Sequence, residues 1–127
     1  MTYRDYEAET LKEAAEDLRT AVVGRRIVAV ETETLAYGRE QDVLTLDNGK
    51  QVTLEGYGDC CAWAGADIVG ELVQHDNAIT SVTTTENGEE WFVYVGAVPV
   101  LEFSASASEG SGYYGYGISI NVRDVPE

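Results

Sequence analysis

The chain has little with which to make a covalent crosslink, a membrane span or a grip on nucleic acid. Its two cysteines, Cys60 and Cys61, are neighbours in a sequence of 127 residues. A bridge between neighbours falls outside the Cα separation of about 4.4–6.8 Å that disulfides adopt. Free thiols in a reducing compartment are therefore expected. No apolar run approaches the roughly 18 residues of a membrane helix. The start, Met1-Thr2-Tyr3-Arg4-Asp5-Tyr6-Glu7, lacks the basic-then-apolar pattern of a secretory signal. A cytoplasmic location is the expectation. Histidine occurs once, as His75, so any site that needs an imidazole base or ligand must recruit that one residue.

Positive charge is scarcer still. Eight Lys and Arg stand against 23 Asp and Glu, for a formal net charge of −15. From Gln51 to Val122 there is no cation, while Glu55, Asp59, Asp67, Glu71, Asp76, Glu86, Glu89, Glu90, Glu102 and Glu109 fall in that span. Such a surface repels phosphates and anionic lipids and attracts basic partners, with a steering force that salt weakens. Direct nucleic-acid or membrane binding is disfavoured, and a protein with a basic surface is the expected partner. A hydrophobic fraction of 44% with eight tyrosines supplies enough apolar side chain to offset chain entropy, so the acidity does not imply disorder. The length suits one domain, residues 1–127, divided into a helix over 1–24 and a sheet-rich body over 25–125.

Leu11, Ala14, Ala15, Leu18, Ala21 and Val22 recur at helical spacing between acids, which predicts an amphipathic helix over residues 5–23, with Asp5 or Thr10 as its cap and Gly24 as its stop. Strands are expected over 27–34, 42–46, 51–55, 79–85, 91–95, 98–106 and 117–122, with Pro99 marking a strand start or an edge. Asn48-Gly49 and Asn87-Gly88 each sit between two of these strands and predict hairpins with tight primed turns. Ile68, Val69, Leu72 and Val73 at helix-compatible spacing predict a short central helix over 66–74, despite Gly70. The expected fold class is α+β: an N-terminal helix, an antiparallel sheet of six or seven strands, and that short helix on one face.

The most distinctive run is Gly56-Tyr57-Gly58-Asp59-Cys60-Cys61-Ala62-Trp63-Ala64-Gly65. It resembles a family of uncharacterised small proteins of actinobacteria and their bacteriophages, in which a strand ends in a Gly-Asp-Cys-Cys run and a short helix comes after it. The resemblance runs from about Ile27 to about Val122 and is carried by the first hairpin, by Gly56 to Cys61, and by the Tyr-Gly-rich approach to Ile118-Ser119-Ile120-Asn121-Val122. It implies an accessory protein of a phage or an actinobacterium and brings no activity with it.

On the residues alone, Gly56 and Gly58 supply tight backbone geometry, Asp59 caps the helix or turn beginning at Cys60, and Cys60 and Cys61 pack as small buried side chains. Gly-x-Gly with no third glycine and no nearby Lys or Arg is no phosphate loop. The competing reading is a thiol- or metal-dependent centre of Asp59, Cys60, Cys61 and His75. Adjacent cysteines lack the spacing that lets two sulfurs converge on zinc, and nearby acids oppose thiolate formation. No catalytic residue, metal or cofactor is expected. The leading expectation is a non-enzymatic acidic interaction protein, in its sharpest form a phage protein that mimics DNA with carboxylates such as Glu31, Glu33, Glu86, Glu89 and Glu90. Tyr113, Tyr114 and Tyr116, in a Gly/Ser-rich loop, have the composition of a contact loop. A further alternative is a minor component of a phage assembly, with strand edges near Val98 or Ile27 pairing between copies.

Overall fold

The structure, a computed structural model, describes residues 3–58, 63–108 and 116–125. The N-terminal segment forms helix α1 (Tyr3–Val22). Leu11, Ala14, Ala15, Leu18 and Val22, three or four residues apart, are buried, and this stripe is what attaches the helix to the rest. Asp5 and Thr10 lie inside the helix rather than at its cap. Past its end the Gly24 amide donates to the Ile79 carbonyl at 2.9 Å. Among the described residues no helix is long and apolar enough to cross a membrane.

The strands are β1 (Ile27–Thr34), β2 (Glu40–Leu46), β3 (Lys50–Gly58), β4 (Trp63–Val69), β5 (Ser81–Thr84), β6 (Glu90–Val95), β7 (Val98–Ser108) and β8 (Tyr116–Asp124). They pair antiparallel throughout, in two four-stranded sheets of order β1-β2-β3-β8 and β4-β7-β6-β5. The two sheets and α1 share one core, centred on Trp91, Phe103, Leu44, Val52 and Leu18. Trp91 and Phe103 meet with ring centroids 5.8 Å apart, and the Trp91 indole N–H donates to the Gly88 carbonyl at 2.8 Å.

The α+β expectation is therefore corrected to a mainly antiparallel β architecture with one N-terminal helix. The central helix is absent: residues 66–69 belong to β4, which pairs with β7 from Trp63↔Ser108 to Val69↔Glu102. A short apolar run fits both periods, and here pairing with β7 decides for a strand, with Ala64, Ala66 and Ile68 alternating on the core side. Gly70, at φ 77, ends it, and residues 70–80 form neither helix nor strand. Pro99 stands second in β7, beside a register shift at Val93/Tyr94. Since β7 is interior, Val98 marks no edge, whereas β1 is one.

Both Asn-Gly turns connect hairpins, β2 to β3 and β5 to β6. Only the glycines have positive φ, 80° at Gly49 and 74° at Gly88, so the turns are not of the primed type. Gly88 donates to Thr85 O at 2.9 Å, and Asn87 Oδ1 accepts from the Glu89 amide at 3.1 Å. This is a type I-like turn closed by a left-handed glycine, within a loop of the four residues 86–89 between the bonded Thr85 and Glu90. A Cβ on Gly88 would lie 3.0 Å from the Leu11 Cβ, so this turn is docked on α1.

The sheets approach closely at Gly56. A Cβ there would fall 1.9 Å from the Ala64 carbonyl oxygen. β4 thus crosses directly over the β3 backbone, and its continuation, Ala66 to Ile68, reaches the inner side of β2 at Asp42.

Candidate functional site

Alternation sends Trp91 and Val93 of β6, and Leu101, Phe103 and Ala105 of β7, into the core. Glu90, Phe92 and Tyr94, and Glu102 and Ser104, therefore face outward, joined on β4 by Asp67 and Val69. The register sets them in two rows across the second sheet: Val69, Glu102, Phe92 and Thr83, and beside it Asp67, Ser104 and Glu90. A shallow depression of about 250 Å³ is lined by Val69, Glu90, Phe92, Glu102, Phe103 and Ser104. Val69 is half exposed, and the Phe92 and Tyr94 rings lie 6.4 Å apart. No Lys or Arg belongs to any strand of this sheet. The face combines carboxylates with exposed apolar surface and has no internal counter-charge.

Of the acids expected to form a binding face, Glu86, Glu89 and Glu90 are exposed. Glu89 accepts from Asn87 Nδ2 at 3.0 Å, so the docked turn holds it in place. Glu102 and Asp67 join Glu90 only through strand register. The available signal was parity: once Trp91 and Phe103 are placed in the core, their neighbours must point outward.

The first sheet treats its acids differently. Glu31 is exposed, but Glu33 is engaged. Arg123 on β8 donates to both its carboxylate oxygens, at 3.3 Å and 2.7 Å, and Gln41 donates to it at 3.0 Å. Arg123 also donates to Gln51, and Gln51 to Thr45, each at 3.1 Å. This polar ladder crosses all four strands, and Val43, which shares the outward face by alternation, is 1% exposed. The Arg123 hydrogen bonds, then that of Gln41, hold the Glu33 carboxyl below its usual range, and Glu33 in turn raises Arg123. Glu33 is thus not free to imitate a phosphate. Replacing Arg123 with Gln should raise the Glu33 carboxyl pKa toward the ordinary glutamate value in a carbon-detected NMR titration; an unchanged titration would show that Arg123 does not hold it.

A third acidic feature lies where β4 meets β2. A cleft of about 120 Å³ is lined by Thr32, Glu40, Gln41, Asp42, Ala66, Asp67 and Ile68. Asp42 is 6% exposed. Its Oδ1 accepts from the Thr32 hydroxyl at 3.3 Å, and its Oδ2 is buried without a full hydrogen bond. Burial, then the nearby Asp67 charge and to a lesser extent Glu40, push the Asp42 carboxyl up to about 6, against the Thr32 hydroxyl and the Ile68 amide, which favour the anion.

His75 lies in the irregular segment after β4, not at a helix end. Its Nδ1 is 2.5 Å from the Asn77 carbonyl. A carbonyl only accepts, so Nδ1 carries the proton, and Nε2 is buried without a partner. The surrounding hollow, about 310 Å³, is bordered by Arg26, Ile27, Val28, Gln74 and Asp76. It adjoins the Lys50 end of the first sheet, whereas Gly58, the last described residue before 59, is at the far end of β3. Those ends are about 25 Å apart at about 3.3 Å per residue, so His75 lies far from Gly58. Asp59, Cys60, Cys61, Tyr113 and Tyr114 lie outside the described residues. Tyr116 opens β8 opposite Gly58. Among the described residues, no three His, Cys, Asp or Glu side chains are grouped as a metal ion requires.

No curated protein and no solved structure matches the chain. A family of domains of unknown function, DUF7448, matches residues 20–120. That span runs from the last turn of α1 into β8 and contains both acidic features at the second sheet, its outward face and its cleft against β2. The chain belongs to the DUF7448 family.

Proposed function

We propose that the protein is a non-enzymatic interaction protein that binds a basic protein surface through the outward face of its second sheet. The observation that carries this reading is the grouping of Asp67, Glu90 and Glu102 around exposed Val69 and the Phe92–Tyr94 pair, on a sheet without a single cation. Carboxylates steer a basic partner and set its register, while apolar area at the centre of a contact gives it persistence. Aromatic rings beside carboxylates also suit guanidinium and ammonium groups, which favour ring faces. In its finer form, the protein is a phage accessory factor acting on a host protein in the cytoplasm, a reading that rests on the resemblance around Gly56 to Cys61. A DNA-mimic version draws its phosphate-like spacing from Glu31, Glu86, Glu89 and Glu90 and not from Glu33, which Arg123 holds.

The test is capture of basic proteins from an actinobacterial lysate at low and high salt by three forms of the immobilised protein: wild type, Glu90→Lys/Glu102→Lys, and Glu9→Lys/Glu13→Lys on the exposed side of α1. The last two change net charge equally. The sheet variant should lose the partner by at least about tenfold, and the helix variant by less than about threefold. Equal losses would reduce the effect to net charge and defeat the reading.

A further inference from the structure

We propose that the cleft between β2 and β4 is a socket for one organic cation, the head of a lysine or arginine side chain carried by the basic partner. This rests on the proposed binding face and names the partner group that the surface selects. Asp42 shares the inner side of β2 with Leu44 and Leu46 by alternation, an acid in a row of core residues. More than nine-tenths of it is buried, and Oδ2 lacks a hydrogen-bond partner. A buried carboxylate oxygen without a partner is costly, and natural folds keep such a group where something completes it. The cleft lining makes the deficit worse: Glu40 and Asp67 add negative charge, Thr32 adds a hydroxyl, and no Lys or Arg is present.

The volume, about 120 Å³, exceeds the roughly 30 Å³ share of one water and accommodates the planar end of an arginine or the ammonium end of a lysine. Either delivers several N–H donors to separate oxygens, as a charge-assisted contact requires. A metal ion would need ligands drawn together around one point, and among the described residues no such group of three occurs. Asp67 connects the two regions. It lines the cleft and also stands in the outward row beside Ser104 and Glu90, so a partner seated on the second sheet has the socket at its margin.

The test uses methylguanidinium chloride as the probe, titrated into labelled protein at pH 7.5 and fixed ionic strength. Amide shifts should saturate at Thr32, Gln41, Asp67 and Ile68, with half-saturation at about 1–10 mM, the strength of a single charge-assisted contact. Asp42→Asn should weaken binding at least about tenfold. Glu90→Lys/Glu102→Lys should leave it intact while losing the lysate partner. Shifts that do not saturate, that spread equally to Glu86 and Glu102, or that survive in Asp42→Asn would mean charge screening only and would overturn the socket. If Asp42→Asn lost methylguanidinium yet captured the partner undiminished, the socket proposal would fall and the face reading would stand. If the sheet variant kept the partner, the face reading would fall by itself.

Discussion

Alanine at Gly56 is expected to cost the protein its fold. The added carbon would sit 1.9 Å from the Ala64 carbonyl oxygen, 2.8 Å from the Ala64 carbonyl carbon and 2.9 Å from the Gly65 Cα. All three are backbone atoms, so no rotamer change relieves the overlap. β4 would have to lift away from β3, and with it the pairing of β4 to β7. Overpacking that repacking cannot absorb costs about 3 kcal/mol or more, a fall in Tm of more than about 10 °C for a domain of this size. Gly65→Ala is the internal control: it lies in the facing strand, and a Cβ there meets nothing within 4 Å. Its effect should stay below about 1 kcal/mol. Thermal unfolding followed by circular dichroism separates the two, and a Gly56→Ala protein melting within about 3 °C of wild type would refute the close crossing.

The second large effect is an Asp42→Asn variant more stable than wild type at pH 8, with an advantage that disappears toward pH 4. The Asp42 carboxyl is raised from its ordinary 3.8 to about 6, first by burial and then by Asp67. The folded chain therefore holds this proton more tightly than the unfolded chain does. Stability from the protonated group is fully present below pH 3.8 and is lost as pH rises through about 6. The gap between those values corresponds to about 3 kcal/mol in a closed site, and solvent entering from the open side of the cleft reduces it to about 1–2 kcal/mol. Asparagine removes the charge while keeping the shape and a hydrogen-bonding oxygen for Thr32. A rise in Tm of about 3–8 °C at pH 8 is expected. A gap that does not vary with pH would show that charge is not the cause.

The parts of the fold that could be read from the sequence were those with a local cause. Asn48-Gly49 and Asn87-Gly88 mark their hairpins because a left-handed residue is needed at that point and nowhere nearby. The turn type is not legible in the pair, because asparagine serves equally well with its own φ negative and its side chain bonded two residues on. Residues 66–74 read as a helix from the spacing of Ile68, Val69, Leu72 and Val73, and the part of β4 before them carries no strand signal, because Ala64-Gly65-Ala66 alternates small against small. Its identity as a strand comes from β7, about forty residues away, and from the gap that Gly56 leaves for it. The candidate site followed the same division. Glu90 was legible as part of an acidic run, but Glu102 and Asp67 reach it only through register. Glu33 looked as free as Glu31, since Arg123, the residue that occupies it, lies 90 positions later in the chain. Asp42 looked like the polar start of a hairpin strand, and only packing against Ile68 makes it a buried acid.

The ladder from Glu33 to Arg123 also settles how charge is divided over the whole body. Arg123 is the only cation beyond Lys50, and it is spent inside the first sheet. Every Lys and Arg in the strands, Lys50 and Arg123, lies in that sheet, and the second sheet has none. The sheets differ in pairing and not in net charge: Glu33, Glu55 and Asp124 of the first sheet each meet a cation, at Arg123, Arg39 and Lys50, whereas Asp67, Glu90 and Glu102 lie on strands that carry none. Carboxylates with no cation on their own sheet repel the same face of a second copy and attract a cationic body. That attraction acts over about a Debye length, roughly 8–10 Å at moderate salt, and so is felt before contact.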